Sequence, residues 1–134
     1  MKTAVIYWSG TGNTEQMAAA VAEGAGAELI RVSDFSGDIA EYDRLAFGCS
    51  AMGDEVLEEE EFEPFFAAIE GALRGKNIAL FGSYGWGDGE WMRTWESDCD
   101  NAGVNLVCES VICTEAPDET ALEACRALGK ALVE

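Results

Sequence analysis

The apolar run Ala4-Val5-Ile6-Tyr7-Trp8 passes without a break into Ser9-Gly10-Thr11-Gly12-Asn13-Thr14. A helical pattern follows at once, with Met17, Ala18, Val21, Ala22 and Ala25 on one face. A strand that ends in a glycine- and hydroxyl-rich loop opening a helix is the first half of a parallel α/β unit. Such a loop suits a fully anionic phosphate. Gly10 and Gly12 carry no Cβ to obstruct approach, Ser9, Thr11 and Thr14 offer hydroxyls, Asn13 offers an amide, and the helix N-terminus adds partial positive charge. The loop has no lysine, so it is not a P-loop, and it lacks the third glycine of a dinucleotide fingerprint near Glu15. The alternative is an ordinary capping turn with Thr or Asn at the N-cap.

The rest of the chain repeats the alternation. Strands are expected at Glu28–Val32, Arg44–Cys49, Asn77–Phe81 and Val104–Ile112. Phe62, Phe65, Phe66, Ile69 and Leu73 mark a second helix. Trp91, Met92, Trp95 and Cys99 mark a third, whose two tryptophans read as core. A fourth runs from Asp118 to about Val133, with Leu122, Cys125, Leu128, Gly129 and Leu132 inward. Five strands alternating with four helices predict an α/β, doubly wound three-layer sandwich around a five-stranded parallel sheet. Residues 1–134 form one domain. Ligands in such sheets bind beyond the C-terminal strand ends. Three loops meet there, at 9–14, 50–58 and 83–90, and they hold the unusual residues of the chain.

Composition narrows the function. With 8 Lys and Arg against 26 Asp and Glu, the formal net charge is -18. Nucleic acid and anionic membranes are poor partners, and a basic protein face is favoured. No histidine and five cysteines without CxxC spacing argue against zinc, haem or iron–sulfur sites and against a disulfide framework. No metal is expected. The chain starts directly in a strand pattern with no signal-like segment, so the expected compartment is the cytoplasm, with reduced thiols.

Ser9-Gly10-Thr11-Gly12-Asn13-Thr14, within Tyr7 to Glu15, resembles the phosphate loop of flavodoxins, in particular the short-chain type of anaerobic bacteria. Two further segments resemble that family in the right order: Ala51-Met52-Gly53-Asp54-Glu55, and Phe81-Gly82-Ser83-Tyr84-Gly85-Trp86-Gly87-Asp88-Gly89-Glu90-Trp91-Met92. The resemblance covers nearly the whole chain. It implies strand order 2-1-3-4-5 and non-covalent FMN as cofactor. It implies that Ser9–Thr14 hold the phosphate, while Ser50, Ala51, Met52, Gly53, Asp54, Glu55 and the stretch Ser83, Tyr84, Gly85, Trp86, Gly87, Asp88 hold the ring. Met52 would pack on its inner face and Trp86 on its outer face. The Gly53 carbonyl would accept from flavin N5–H after a peptide flip, and Glu55 from N3–H. Gly87 and Asp88 would offer backbone contacts near N1 and O2.

What the resemblance implies is a monomeric, low-potential one-electron carrier, not an enzyme, cycling between neutral semiquinone and anionic hydroquinone. The redox partners expected are reductases and ferredoxin-like proteins with basic docking faces. Part of the acidic run 54–63 starts the second helix and the rest docks such partners; the alternative is that the run is only a solvated face. The alternative function is an FMN-dependent reductase of quinones or nitro compounds, which needs an open pocket over the ring. A receiver domain shares the topology but needs acidic residues where Trp8-Ser9 and Cys49-Ser50 stand. A Cys-x5-Arg phosphatase is excluded, because no arginine follows a cysteine at that spacing.

Overall fold

The computed structural model describes residues 2–52, 56–85 and 87–134. The main elements are β1 (Lys2–Trp8), α1 (Asn13–Ala25), β2 (Glu28–Arg31), β3 (Tyr42–Cys49), β4 (Ala51–Met52), β5 (Val56–Leu57), α2 (Phe62–Ile69), β6 (Asn77–Tyr84), α3 (Glu90–Asn101), β7 (Asn105–Leu106), β8 (Val111–Thr114) and α4 (Glu119–Val133). The main sheet is parallel and runs β2-β1-β3-β6, with β7 and β8 both paired to β6. Five positions across the sheet in the order 2-1-3-4-5 match the expectation, with two short segments sharing the fifth.

Alternation along each strand divides the core in two. Ala4, Ile6, Leu45, Phe47, Ile78 and Leu80 face α2 and α3, which supply Phe62, Phe66, Trp91, Met92 and Trp95. Val5, Tyr7, Ala46, Ala79 and Phe81 face α1 and α4. The first layer is aromatic. Trp95 meets Phe62 and Phe66 edge-on, with centroids 5.4 and 5.5 Å away, a geometry that ring quadrupoles favour. Trp91 and Trp95 are core residues, at 1% and 2% exposure, as their helical spacing suggests.

The second layer is thin because two glycines let α1 and α4 touch. A Cβ on Gly129 would collide with the Val21 carbonyl oxygen and stand 2.8 Å from the Ala25 nitrogen, and one on Gly24 would strike the Arg126 carbonyl. Arg126 then clips the pair from outside through Glu23, Glu119 and Glu123.

Several boundaries differ from the expectation. The stretch expected as one strand over Val104–Ile112 is interrupted. Leu106 pairs with Ile78 and Val111 with Phe81, so more residues span the gap on this strand than on β6, and the excess leaves the ladder as in a bulge. β6 continues to Tyr84 rather than stopping at Phe81, which puts Ser83 and Tyr84 at a strand end. β2 stops at Arg31, and Val32 begins a 3₁₀ turn. β3 begins at Tyr42. The second helix ends at Ile69 and passes into a 3₁₀ turn over Glu70–Ala72. β4 and β5 form a small antiparallel hairpin, Ala51 opposite Leu57 and Met52 opposite Val56.

Among the described residues of the acidic run, one carboxylate belongs to the interior. Glu58 is 7% exposed and accepts from the backbone N–H groups of Glu60, Glu61 and Phe62, each at 2.8 Å. These are orphan donors at the start of α2. Burial pushes the Glu58 carboxyl up, but the three N–H donors outweigh it and hold the group below the ordinary glutamate range. A carboxyl depressed on folding stabilises the fold above its unfolded pKa. That contribution disappears as pH falls through the lower folded value. Glu58→Gln is therefore expected to cost about 1–2 kcal/mol at neutral pH, and the gap to the unaltered chain should close in acid. Melting curves from neutral pH to pH 3 check this, and a gap that stays constant would contradict it.

Candidate functional site

The three loops meet at one cavity. It lies at the C-terminal ends of β1, β3 and β6, has a volume of about 270 Å³, and is lined by Trp8, Gly10, Thr11, Asn13, Ser50, Ala51, Met52, Ser83, Tyr84, Gly85 and Glu115. Nine of these residues were expected from sequence: Gly10, Thr11, Asn13, Ser50, Ala51, Met52, Ser83, Tyr84 and Gly85. Larger clefts lie between β8 and α4 and between α2 and α3. Neither holds a glycine-rich strand–helix loop. Chemistry, not size, selects the site.

One end of the cavity suits an anion. Helix α1 starts at Gly12, whose φ of 96° is a left-handed conformation that glycine adopts freely, and no side chain caps it. The capping-turn alternative, with Thr or Asn at the N-cap, is thereby set aside. The first N–H groups of a 13-residue helix are left for a ligand. Among the described residues, the side chains of exposed Thr11 and half-buried Asn13 make no hydrogen bond. At Gly10, a Cβ would come within 3.0 Å of the Trp8 ring.

The other hydroxyls form the frame of the loop. Ser9 Oγ accepts the Gly12 N–H at 3.1 Å and closes the turn. Thr14 is fully buried. Its Oγ1 lies 2.7 Å from Ser50 Oγ and accepts the Ser83 N–H at 3.3 Å. One side chain thus ties the ends of β1, β3 and β6 together. Thr14 itself does not line the cavity, so its part is to hold the loop in place.

The other end suits a flat, partly apolar group. Met52 is 42% exposed at the rim, and Tyr84 is backed by Trp91 at 5.2 Å. Trp91 Nε1 in turn donates to the Cys49 carbonyl at 3.2 Å, clamping α3 to the end of β3. Burial pushes the Cys49 thiol up to about 12, so it is an inert part of this wall.

Gly87 and Asp88 do not line the cavity. Gly87 has φ 88°, and the Asp88 carboxylate pairs with Arg93 at 2.9 Å, in the approach to α3. Gly53, Asp54, Glu55 and Trp86 lie outside the described residues.

Sequence reasoning missed three contributors. Trp8 carried a signal, since it directly precedes the loop. Glu115 carried none. It adopts φ 57°, rare for a residue with a side chain, and is held there by its N–H on the Tyr84 carbonyl and by Ser83 Oγ on its own carbonyl. Arg31, at the end of β2, donates to the Ser9 carbonyl at 2.6 Å. The loop itself has no cation, as expected, but one stands directly behind it.

The family model for flavodoxins matches residues 5–129. The chain belongs to the flavodoxin family. It is 50% identical to flavodoxin from Clostridium beijerinckii over 94% of this chain and 95% of that one. It is 43% identical to flavodoxin from Megasphaera elsdenii over 95% of each. The solution structure of the two-electron reduced Megasphaera flavodoxin superposes with a TM-score of 0.86 at 42% identity, covering 98% of both chains. The likeness to flavodoxins of anaerobic bacteria therefore holds at the level of sequence and fold. Flavodoxins carry electrons on bound FMN, and FMN is the cofactor of this chain. The site fits it: an uncapped helix start for the phosphate, and an apolar end at Met52 and Tyr84 for the ring. Among the described residues, no helix is long and apolar enough to cross a membrane.

Proposed function

We propose that residues 1–134 act as one FMN-binding domain, a monomeric cytoplasmic carrier of single electrons at low potential. It has no substrate of its own, and its cofactor cycles between neutral semiquinone and anionic hydroquinone. In this reading Ser9–Thr14 hold the phosphate, and Ser50–Glu55 and Ser83–Asp88 hold the ring, as the resemblance implies. The observation that carries the reading is the charge of the wall. Among the described residues, Glu115 lines the cavity and no lysine or arginine does. FMN can pass one or two electrons, and its surroundings select the couple. Carboxylates near a group that becomes anionic on full reduction disfavour that state, while the backbone at 53–54 can favour the level before it. A penalty of about 2–3 kcal/mol lowers a one-electron potential by about 90–130 mV.

The partners are redox proteins with basic docking faces. Met52 and Val56, both about 40% exposed, pair across the β4–β5 hairpin, and Met52 lines the cavity. The exposed carboxylates of Glu59, Glu60 and Glu61 lie just beyond. A partner that pairs with these should bind more weakly as salt rises.

Stepwise anaerobic reduction of the FMN complex, followed by visible spectra and potentiometry, tests the proposal. The expected result is a blue one-electron intermediate, then a second couple below that of free FMN. Direct bleaching, or turnover of NAD(P)H with a quinone or nitro compound, would favour the reductase alternative instead.

A further inference from the structure

The phosphate end of the cavity carries an electrostatic problem. FMN brings a dianionic phosphate to a chain with a formal net charge of -18, and the binding loop holds no cation. Most of the chain's few cations are engaged elsewhere. Lys2 pairs with Glu41, Arg93 with Asp88, and Arg126 with Glu23, Glu119 and Glu123. Arg74 and Lys76 donate to the carbonyls of Ala102 and Tyr42 on the far side of the sheet.

Arg31 stands at the phosphate loop instead. Its Nη2 donates to the Ser9 carbonyl at 2.6 Å, and its guanidinium lies over the Tyr7 ring, 5.7 Å from the centroid. It forms no ion pair among the described residues. Its charge therefore stands, without a direct ion pair, at the first peptide of the phosphate loop. A trans peptide points its N–H opposite to its carbonyl. Holding the Ser9 carbonyl thus turns the Gly10 N–H away from Arg31, and Gly10 lines the cavity. A charge-assisted bond at the carbonyl also polarises that peptide and strengthens its N–H as a donor.

Glu15 sharpens the arrangement. It stands in the first turn of α1, where a carboxylate suits the helix dipole but opposes an anionic ligand. Tyr7 Oη donates to Glu15 Oε2 at 3.0 Å. Burial and this hydrogen bond hold the phenol's pKa up, against a smaller opposing effect of Arg31, so Tyr7 remains a donor. Tyr7 therefore stands between a carboxylate and a guanidinium and fixes both at the back of the loop.

We propose that Arg31 is a positioning residue for cofactor choice: it pins the Ser9–Gly10 peptide and supplies the positive charge that favours a phosphorylated flavin over its uncharged counterpart. The inference rests on the FMN-site reading. Its ligand contrast is FMN against riboflavin, which share the ring and differ in the phosphate.

Both ligands are titrated into the apoprotein by fluorescence quenching, at about 0.01 M and about 1 M salt, where screening lengths are about 30 and 3 Å. The unaltered chain is compared with Arg31→Gln and Arg31→Lys, and the melting temperature of each apoprotein is recorded. Gln keeps a donor for the Ser9 carbonyl without the charge, and Lys keeps the charge without the fork. At low salt, Arg31→Gln is expected to bind FMN about tenfold more weakly and riboflavin within about twofold of the unaltered chain. The FMN deficit should shrink at high salt, and Arg31→Lys should recover most of the preference. Equal losses for both ligands would reduce Arg31 to a packing residue and overturn the inference. So would an unchanged ratio of the two affinities while the unaltered chain binds FMN normally. Failure of the unaltered chain to bind FMN would overturn the site reading, and this inference with it.

Discussion

Gly129→Ala lowers the melting temperature of the apoprotein by about 12 °C, the equivalent of about 3 kcal/mol in a chain of this size. The added methyl group meets backbone, not a side chain that could rotate away. Its neighbours are the Val21 carbonyl oxygen and the Ala25 nitrogen, which belong to the regular hydrogen bonding of α1. Relief requires the two helices to separate along their length, which exposes Met17, Val21, Leu128 and Leu132, all now buried. Gly24→Ala meets the Arg126 carbonyl from the other side and should behave alike. By contrast, Gly71→Ala adds a Cβ with no neighbour within 4 Å and should be neutral or slightly stabilising. Thermal melts of the three variants form one experiment. A Gly129→Ala protein melting within a few degrees of the unaltered chain would mean that the helices are further apart than described.

Thr14→Val weakens FMN binding by about tenfold and costs about 1–3 kcal/mol of stability. The substitution is nearly isosteric, so packing is not the cause. It removes the oxygen that accepts the Ser83 N–H and meets Ser50 Oγ. The Ser83 N–H is buried and is left without a partner. The three strand ends also lose their shared tie, so a ligand must order loops that are now ordered in advance. Thr14→Ser restores the oxygen and should recover most of both losses. FMN titration and melting of the two variants separate these effects. Equal affinity in the unaltered chain and Thr14→Val would remove the bridge from the account of the site.

The features legible in the sequence are those that depend on local pattern. Continuous apolar runs marked the buried parallel strands, and 3.6-residue spacing marked the helices. Trp91 and Trp95, four residues apart, have the spacing of core residues and are buried. The phosphate loop was legible because glycines and hydroxyls occur together at a strand–helix junction. What escaped depends on partners distant in the chain. Ser83 and Tyr84 look like the start of a loop, yet β8 pairs with them and extends β6. The strands of the β4–β5 hairpin are two residues long, too short to show a period. Within the four consecutive glutamates 58–61, nothing local distinguishes Glu58 from its exposed neighbours. Its burial follows from where α2 begins. Arg31 comes to stand behind the phosphate loop only through strand register, and Glu115 reaches the cavity only through an unusual backbone angle.

The contact between α1 and α4 also bears on how the chain is made. The phosphate loop leaves the ribosome well before α4, but the helix that presents it has an apolar face covered by residues near position 129. Until those emerge, Met17 and Val21 lack the cover that Cys125, Leu128 and Leu132 supply. Cofactor capture must therefore be a late event in synthesis. Nascent chains stalled before the last helix should remain colourless in the presence of FMN.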